Sequence, residues 1–270
     1  MFSGSISAAF YTSSVVSLII AALVLLVGAD RPVNVGLPSI SEYTGDEVVL
    51  ENGTESDSEE TSLTLPQIFV KYILTNKVVW AITLTSMSLY LVRYGIMSWI
   101  PSYLVESNTT NFAKWLVGIF ELAAVPGVII MGAISDALKG RRAIVCILCV
   151  IGLFICLTTY FFSTSHILIV SVLFIMGTLI CVPLTLVGLM VNEAVPKFAV
   201  GSSTGFMGFF QYIFGETLAT ALIGILVAKY GWLASNMVLY TASALVFILL
   251  VYIFIAERRA EKIVDADKKD

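Results

Sequence analysis

Charge is scarce in this chain. Asp, Glu, Lys and Arg make up 13% of its 270 residues against 58% hydrophobic ones, a mixture that cannot bury its apolar surface in one soluble core and still cover the outside with charge. Histidine is scarcer still: His166 stands alone, in what reads as a short loop, which removes most metal-site and histidine-dependent catalytic readings. Cys146, Cys149, Cys156 and Cys181 all fall within apolar stretches, and no histidine or second cysteine pair lies near Cys146-x-x-Cys149 to complete a tetrahedral set. Helix packing is the reading for them. A nucleophile, base and orienting group are nowhere in a recognisable arrangement, so an enzyme is not expected. Nor is a cofactor or a nucleic-acid partner.

Long apolar runs are what the chain has in abundance. In windows of about 19 residues they lie at 8–28, 78–100, 113–135, 143–162, 167–190, 203–228 and 234–256. Each is long enough to cross about 30 Å of hydrocarbon as a helix. Lipid offers no partners to backbone amides and the runs lack strand-like alternation, so the expectation is an all-α membrane protein with seven transmembrane helices. The first run has no basic region before it and exceeds a signal-peptide core, so it reads as a retained span.

Basic residues fall in alternate loops: Lys71 and Lys77, then Lys139, Arg141 and Arg142, then Lys197, then Arg258, Arg259 and Lys262, against Lys114 and Lys229 in the others. This places the carboxy terminus and the loop at 29–77 in the cytoplasm and the chain in a cell membrane as a multi-pass protein. Residues 42–60 are acidic and poor in aromatics, the composition of a disordered linker. The linker ends in Leu65 to Leu74, a short interfacial helix with Pro66 in its first turn. Asn52-Gly53-Thr54 and Asn108-Thr109-Thr110 fit the glycosylation pattern, which carries almost no weight by itself.

Tyr11-Thr12-Ser13-Ser14-Val15, running to Gly28-Ala29-Asp30-Arg31, is echoed with a two-residue offset by Tyr240-Thr241-Ala242-Ser243-Ala244, running to Ala256-Glu257-Arg258-Arg259. Chance and homology both account for so short an apolar match. As homology, both helices close a six-span repeat, and the first span is the sixth of twelve.

Gly132-Ala133-Ile134-Ser135-Asp136-Ala137-Leu138-Lys139-Gly140-Arg141-Arg142 fits the G-x-x-x-D-x-x-x-G-R-R/K loop of the major facilitator superfamily. Gly132 would permit close helix approach, Asp136 would cap or pair at the membrane edge, and Arg141 and Arg142 suit carboxylates and helix carboxy ends. An ordinary positive-inside loop accounts for the arginines but not for the spacing. The motif, Gly140 included, is read as a gating and structural element. More narrowly, the chain resembles the organophosphate:phosphate antiporters over nearly all of residues 8–262. The resemblance is carried by Asp30-Arg31-Pro32 through Gly36 to Tyr43, Tyr90-Leu91-Val92-Arg93-Tyr94-Gly95-Ile96 with Trp99, Glu193-Ala194-Val195-Pro196-Lys197, and the glycines from Gly201 to Gly215. It implies helices 6 to 12 of a twelve-helix fold. Residues 1–28 would be the last helix of an amino-terminal domain otherwise missing from this sequence. The linker would be 29–77, the carboxy-terminal six-helix domain 78–256 and a charged cytoplasmic tail 257–270.

Arg93 stands out without any family. A guanidinium mid-span costs at least about 2.5 kcal/mol on insertion scales, so it should face the bundle interior or a watery cavity. Its fork of donors suits a phosphate, or it is a structural Arg paired to a neighbouring helix. The resemblance implies the first, since the matching Arg of these antiporters binds substrate phosphate together with a second Arg from the amino-terminal half. Tyr90 lies three residues earlier on the same helical face, and Tyr212 matches a site tyrosine of the glycerol-phosphate branch. Each is either a hydroxyl donor to phosphate or a packing residue. Where that branch has another tyrosine this chain has Cys181. Glu216 matches an acidic position of the hexose-phosphate branch, but the lysine that follows there is Thr220 here. Proton coupling, substrate choice and a structural pair, with Arg93 among the partners, all remain open for Glu216. Glu121, beside Pro126 and Gly127, is either cavity-lining or packing.

The function expected is exchange of an organophosphate for inorganic phosphate across the bilayer by alternating access, with the missing amino-terminal half as partner. The glycines of the sixth span, Gly201, Gly205, Gly208, Gly215 and Gly224, would fit close sliding helices or plain packing. The alternative is a transporter-like sugar-phosphate sensor that signals to a membrane kinase.

Overall fold

The computed structural model describes residues 6–28, 36, 65–106, 113–138, 141–163 and 165–267. Among the described residues every regular element is helical. Met1–Ser62 and Leu63–Asp270 are separate units. The first contains α1 (Ile6–Val27), whose hydroxyls turn back on their own helix: Ser14 donates to the Phe10 carbonyl and Ser17 to that of Ser13, both at 2.9 Å. Polar groups satisfied this way leave an outer surface suited to hydrocarbon. The acidic segment 42–60, the two glycosylation patterns, Asp30 to Pro32, Leu37 to Tyr43, Lys139 and Gly140 lie outside the described residues.

The second unit begins with α2 (Leu65–Ile68), which runs into a π-helical turn, Phe69–Leu74. Then come α3 (Lys77–Glu106), α4 (Ala113–Ala137), α5 (Arg142–Phe162) and α6 (His166–Glu193), so that His166 opens a helix and does not sit in a loop. A 3-10 turn, Lys197–Ala199, leads into α7 (Val200–Phe210), a π-helical segment, Gln211–Glu216, and α8 (Thr217–Tyr230). The last helix, α9 (Trp232–Asp267), continues well beyond its apolar part into the charged tail.

Among the described residues six stretches are long and apolar enough to span a membrane, and Pro66–Leu74 taken with Lys77–Trp99 makes a seventh that is bent by 80°. The span expected at 78–100 is the least apolar because α3 buries a polar stripe, Thr83, Thr85, Ser86 and Ser88. Asn76 makes the corner before it. Its side-chain oxygen accepts the Val78 N–H at 2.9 Å, its amide donates to the Ala194 carbonyl at 3.3 Å, and the Trp80 indole donates to the Leu74 carbonyl at 2.9 Å.

Two apolar clusters stack along the bundle. One gathers Ile73, Ile82 and Leu89 with Val187 and Leu250, and the other gathers Val92 and Phe120 with Leu173 and Ile180. The boundary between them falls between Leu89 and Val92 on α3, just before Arg93, and at Cys181 on α6. The span from α7 to α8 buries a row with a step of four: Ala199, Ser203, Met207, Gln211, Gly215, Ala219 and Ile223. Glycine is needed where backbones meet. A Cβ at Gly215 would come within 2.6 Å of the Tyr90 Cβ, and one at Gly224 within 2.8 Å of the Trp99 ring. At Gly201, Gly205, Gly208 and Gly132 a Cβ would meet nothing within 4 Å. The close approach expected at Gly132 is absent because the α4–α6 contact is made farther back along α4, at Phe120 and Gly127.

Candidate functional site

Arg93 is tied at two of its three nitrogens. Nη2 lies 2.6 Å from Glu121 Oε1, and Nη1 donates to Cys181 Sγ at 3.3 Å. Nε is buried and has no hydrogen-bond partner among the described residues. The side chain is not sealed in: Arg93 is 22% exposed and Glu121 40%. An ion pair so placed satisfies the charge that a lone guanidinium would otherwise carry into an apolar span, while leaving it within reach of water.

The packing of α4 against α6 explains why these partners are at hand. A Cβ on Gly177 would collide with the Phe120 carbonyl and one on Gly127 with Thr178, so the two backbones touch. The Thr178 hydroxyl donates across the crossing to the Ala123 carbonyl at 2.8 Å, three residues before Pro126 in the same helix. Glu121 follows Phe120 directly, and Cys181 lies one turn beyond Gly177 on the same face. The close crossing therefore delivers a carboxylate and a thiol to the one arginine of α3.

Three tyrosines flank the pair. The Tyr90 ring centroid is 5.4 Å from that of Tyr212 and 5.5 Å from that of Tyr94, and the Arg93 guanidinium carbon lies 5.8 Å from the Tyr94 ring. Tyr212 thus packs on Tyr90, one turn from Arg93 on α3, and Tyr94 is the tyrosine whose ring lies by the guanidinium. Glu216 is different: it follows Gly215 at the end of the π-helical segment, and the carboxylate on Arg93 is that of Glu121. Tyr94 and the buried bond from Gln211 to Ser86 escaped the sequence reading. A glutamine inside an apolar span was a local signal for Gln211; the buried row it belongs to is not visible to hydropathy.

The loop motif resolves into one ion pair and exposed residues. Arg142 Nη2 lies 2.6 Å from Glu193 Oε1, joining the start of α5 to the end of α6, while Asp136 and Arg141 are exposed. Glu193 begins the Glu193-to-Lys197 segment singled out above, so two separate sequence signals meet in a single contact. Cys146 and Cys149 are buried free thiols in the first apolar cluster.

The sequence profile of the Major Facilitator Superfamily matches residues 1–216 and 108–270. The chain belongs to the Major Facilitator Superfamily. Among its superfamily relatives, the phosphoglycerate transporter protein of Salmonella typhimurium is 37% identical over 84% of this chain and 50% of its own length. The glycerol-3-phosphate transporter of Bacillus subtilis is 32% identical over 94% and 57%, and the hexose-6-phosphate:phosphate antiporter of Escherichia coli 31% identical over 84% and 49%. The chain spans about half the length of these curated relatives. It is a multi-pass superfamily protein of the organophosphate:phosphate antiporter group, transporters and not enzymes.

Proposed function

We propose that this chain forms the carboxy-terminal half of an antiporter that exchanges an organophosphate for inorganic phosphate by alternating access, with Arg93 as the phosphate-binding cation of its half. The observation that carries the reading is the Arg93–Glu121 pair, mid-span, part-exposed, with the Tyr94 ring beside the guanidinium and Tyr90 next to that ring. A phosphate dianion is a stronger acceptor than one carboxylate oxygen and takes the guanidinium fork bidentately, with the phenols as further donors. The other five helices of the amino-terminal half are the partner, with residues 1–28 as its sixth, and they contribute the facing cation. The basic end of the bundle, with Lys77, Arg142, Lys197 and Arg258, faces the cytoplasm. The Gly132-to-Arg142 loop holds α5 to α6 there during domain motion.

The test is entry of labelled phosphate into phosphate-loaded vesicles that carry this chain together with its amino-terminal half. Arg93→Lys keeps the charge and loses the fork, and exchange is expected to drop ~100-fold at limiting phosphate. Unchanged exchange in Arg93→Lys sinks the assignment. Phosphate binding without any flux in the unaltered protein points to the sensor instead.

A further inference from the structure

The step-of-four row cannot lie on one face of a plain α-helix. Four residues overshoot a turn by about 40°, so six steps would carry the row about 240° around the axis. The row is nevertheless buried from Ala199 to Ile223, and Gln211–Glu216, at its middle, is π-helical, which cuts the drift to about 140°. Its bonds run i→i+5, as from the Thr217 N–H to the Tyr212 carbonyl, which the Thr217 hydroxyl also reaches at 3.0 Å. Taking in one extra residue returns about 100° of the drift.

The segment is pinned to α3 at both ends. Gln211 Nε2 donates to Ser86 Oγ inside the core, and Gly215 abuts the Tyr90 Cβ and the Met87 carbonyl, where an added Cβ would stand 2.6 and 2.8 Å away. Each pinned residue is followed by a candidate site residue, Tyr212 after Gln211 and Glu216 after Gly215. Tyr212 and Tyr90 meet edge to face between the pins. A π-helical turn is less favourable than an α-helical one and persists where the surroundings hold it, commonly at functional sites.

We propose that Gln211 is a positioning residue of the phosphate site: its bond to Ser86 holds the π-helical register that sets Tyr212 against Tyr90 and fixes the rotation of Glu216. The proposal rests on the reading of Arg93 as the phosphate cation. Neither Gln211 nor Ser86 touches the phosphate.

The experiment uses labelled inorganic phosphate in the same vesicles and compares Gln211→Leu, Ser86→Ala, their double variant, and deletion of Ile213, which closes the segment into an α-helix. KM for phosphate is expected to rise about tenfold in the deletion and several-fold in each point variant, with a smaller change in maximal rate per folded protein. The double variant should match the larger single one, as members of one contact do. If the deletion does not fold, the point variants decide alone. Point variants that lose heat stability or yield but keep KM overturn the proposal, because a merely structural bond behaves that way. Arg93→Lys run in parallel separates the two ideas. Should it exchange like the parent, the phosphate site itself falls; should it be inactive while the Gln211 and Ser86 variants keep KM, only the positioning role falls.

Discussion

Arg93 and Glu121 pair a cation and a carboxylate within apolar helices, part-exposed and within reach of water. A carboxylate on the guanidinium competes with an incoming phosphate, so Glu121 sets how readily the site loads. Glu121→Gln removes that competitor and keeps the shape. We expect KM for phosphate to fall several-fold, about 1 kcal/mol, with a slower maximal rate, because phosphate then leaves less easily. Concentration series of vesicle exchange check this, and a raised KM would show that Glu121 holds Arg93 in place instead of competing for it. The sequence made Arg93 conspicuous because a cation amid apolar residues is costly wherever the helix points. It offered Arg93 as a partner to Glu216 and not to Glu121, since which carboxylate reaches the arginine depends on how α4 crosses α6, a contact between residues more than fifty positions apart that no local pattern encodes.

Among elements, α4 and α6 are the pair that behaves as one body. They meet backbone to backbone at Gly177 and Phe120, the Thr178 side chain fills the space over Gly127, and its hydroxyl donates across the crossing to the Ala123 carbonyl. Gly177→Ala drives a methyl into the Phe120 carbonyl and is expected to cost about 1–3 kcal/mol through overpacking. Gly205→Ala, where a Cβ meets nothing within 4 Å, should stay within about 0.5 kcal/mol of the parent. Melting of the detergent-solubilised protein, followed by size-exclusion recovery, compares them; equal losses would mean the α4–α6 contact is softer than its geometry. Hydropathy located every span, and Pro66 marked the short helix before α3. Its 80° angle was not legible, because it follows from Asn76 capping α3 while gripping Ala194 of a distant segment. The step-of-four row stayed hidden for another reason. Ser203, Gln211 and Gly215 are not hydrophobic, so a pattern of burial was written in residues that hydropathy does not count.

For the whole molecule, the decisive fact is that the chain matches about half the length of its relatives. Alternating access needs two bodies that rock about a shared site. The isolated 270-residue chain in vesicles is therefore expected to give no phosphate exchange, and co-expression with the other five helices of the amino-terminal half to restore it. Exchange by the isolated chain would overturn the half-site reading, as would a restored transporter indifferent to Arg93→Lys. The fold class was legible because composition alone forces helices on a chain in lipid. Site chemistry was legible only where a single residue was energetically out of place.

The π-helical segment also has an evolutionary consequence. A helix that takes in one surplus residue without disturbing either flank preserves the trace of a one-codon insertion. Superfamily members that lack the segment should be one residue shorter between the positions of Met207 and Ala219. A single-residue gap in that window would then mark, in sequence alone, which transporters share this way of setting a tyrosine beside the arginine of α3.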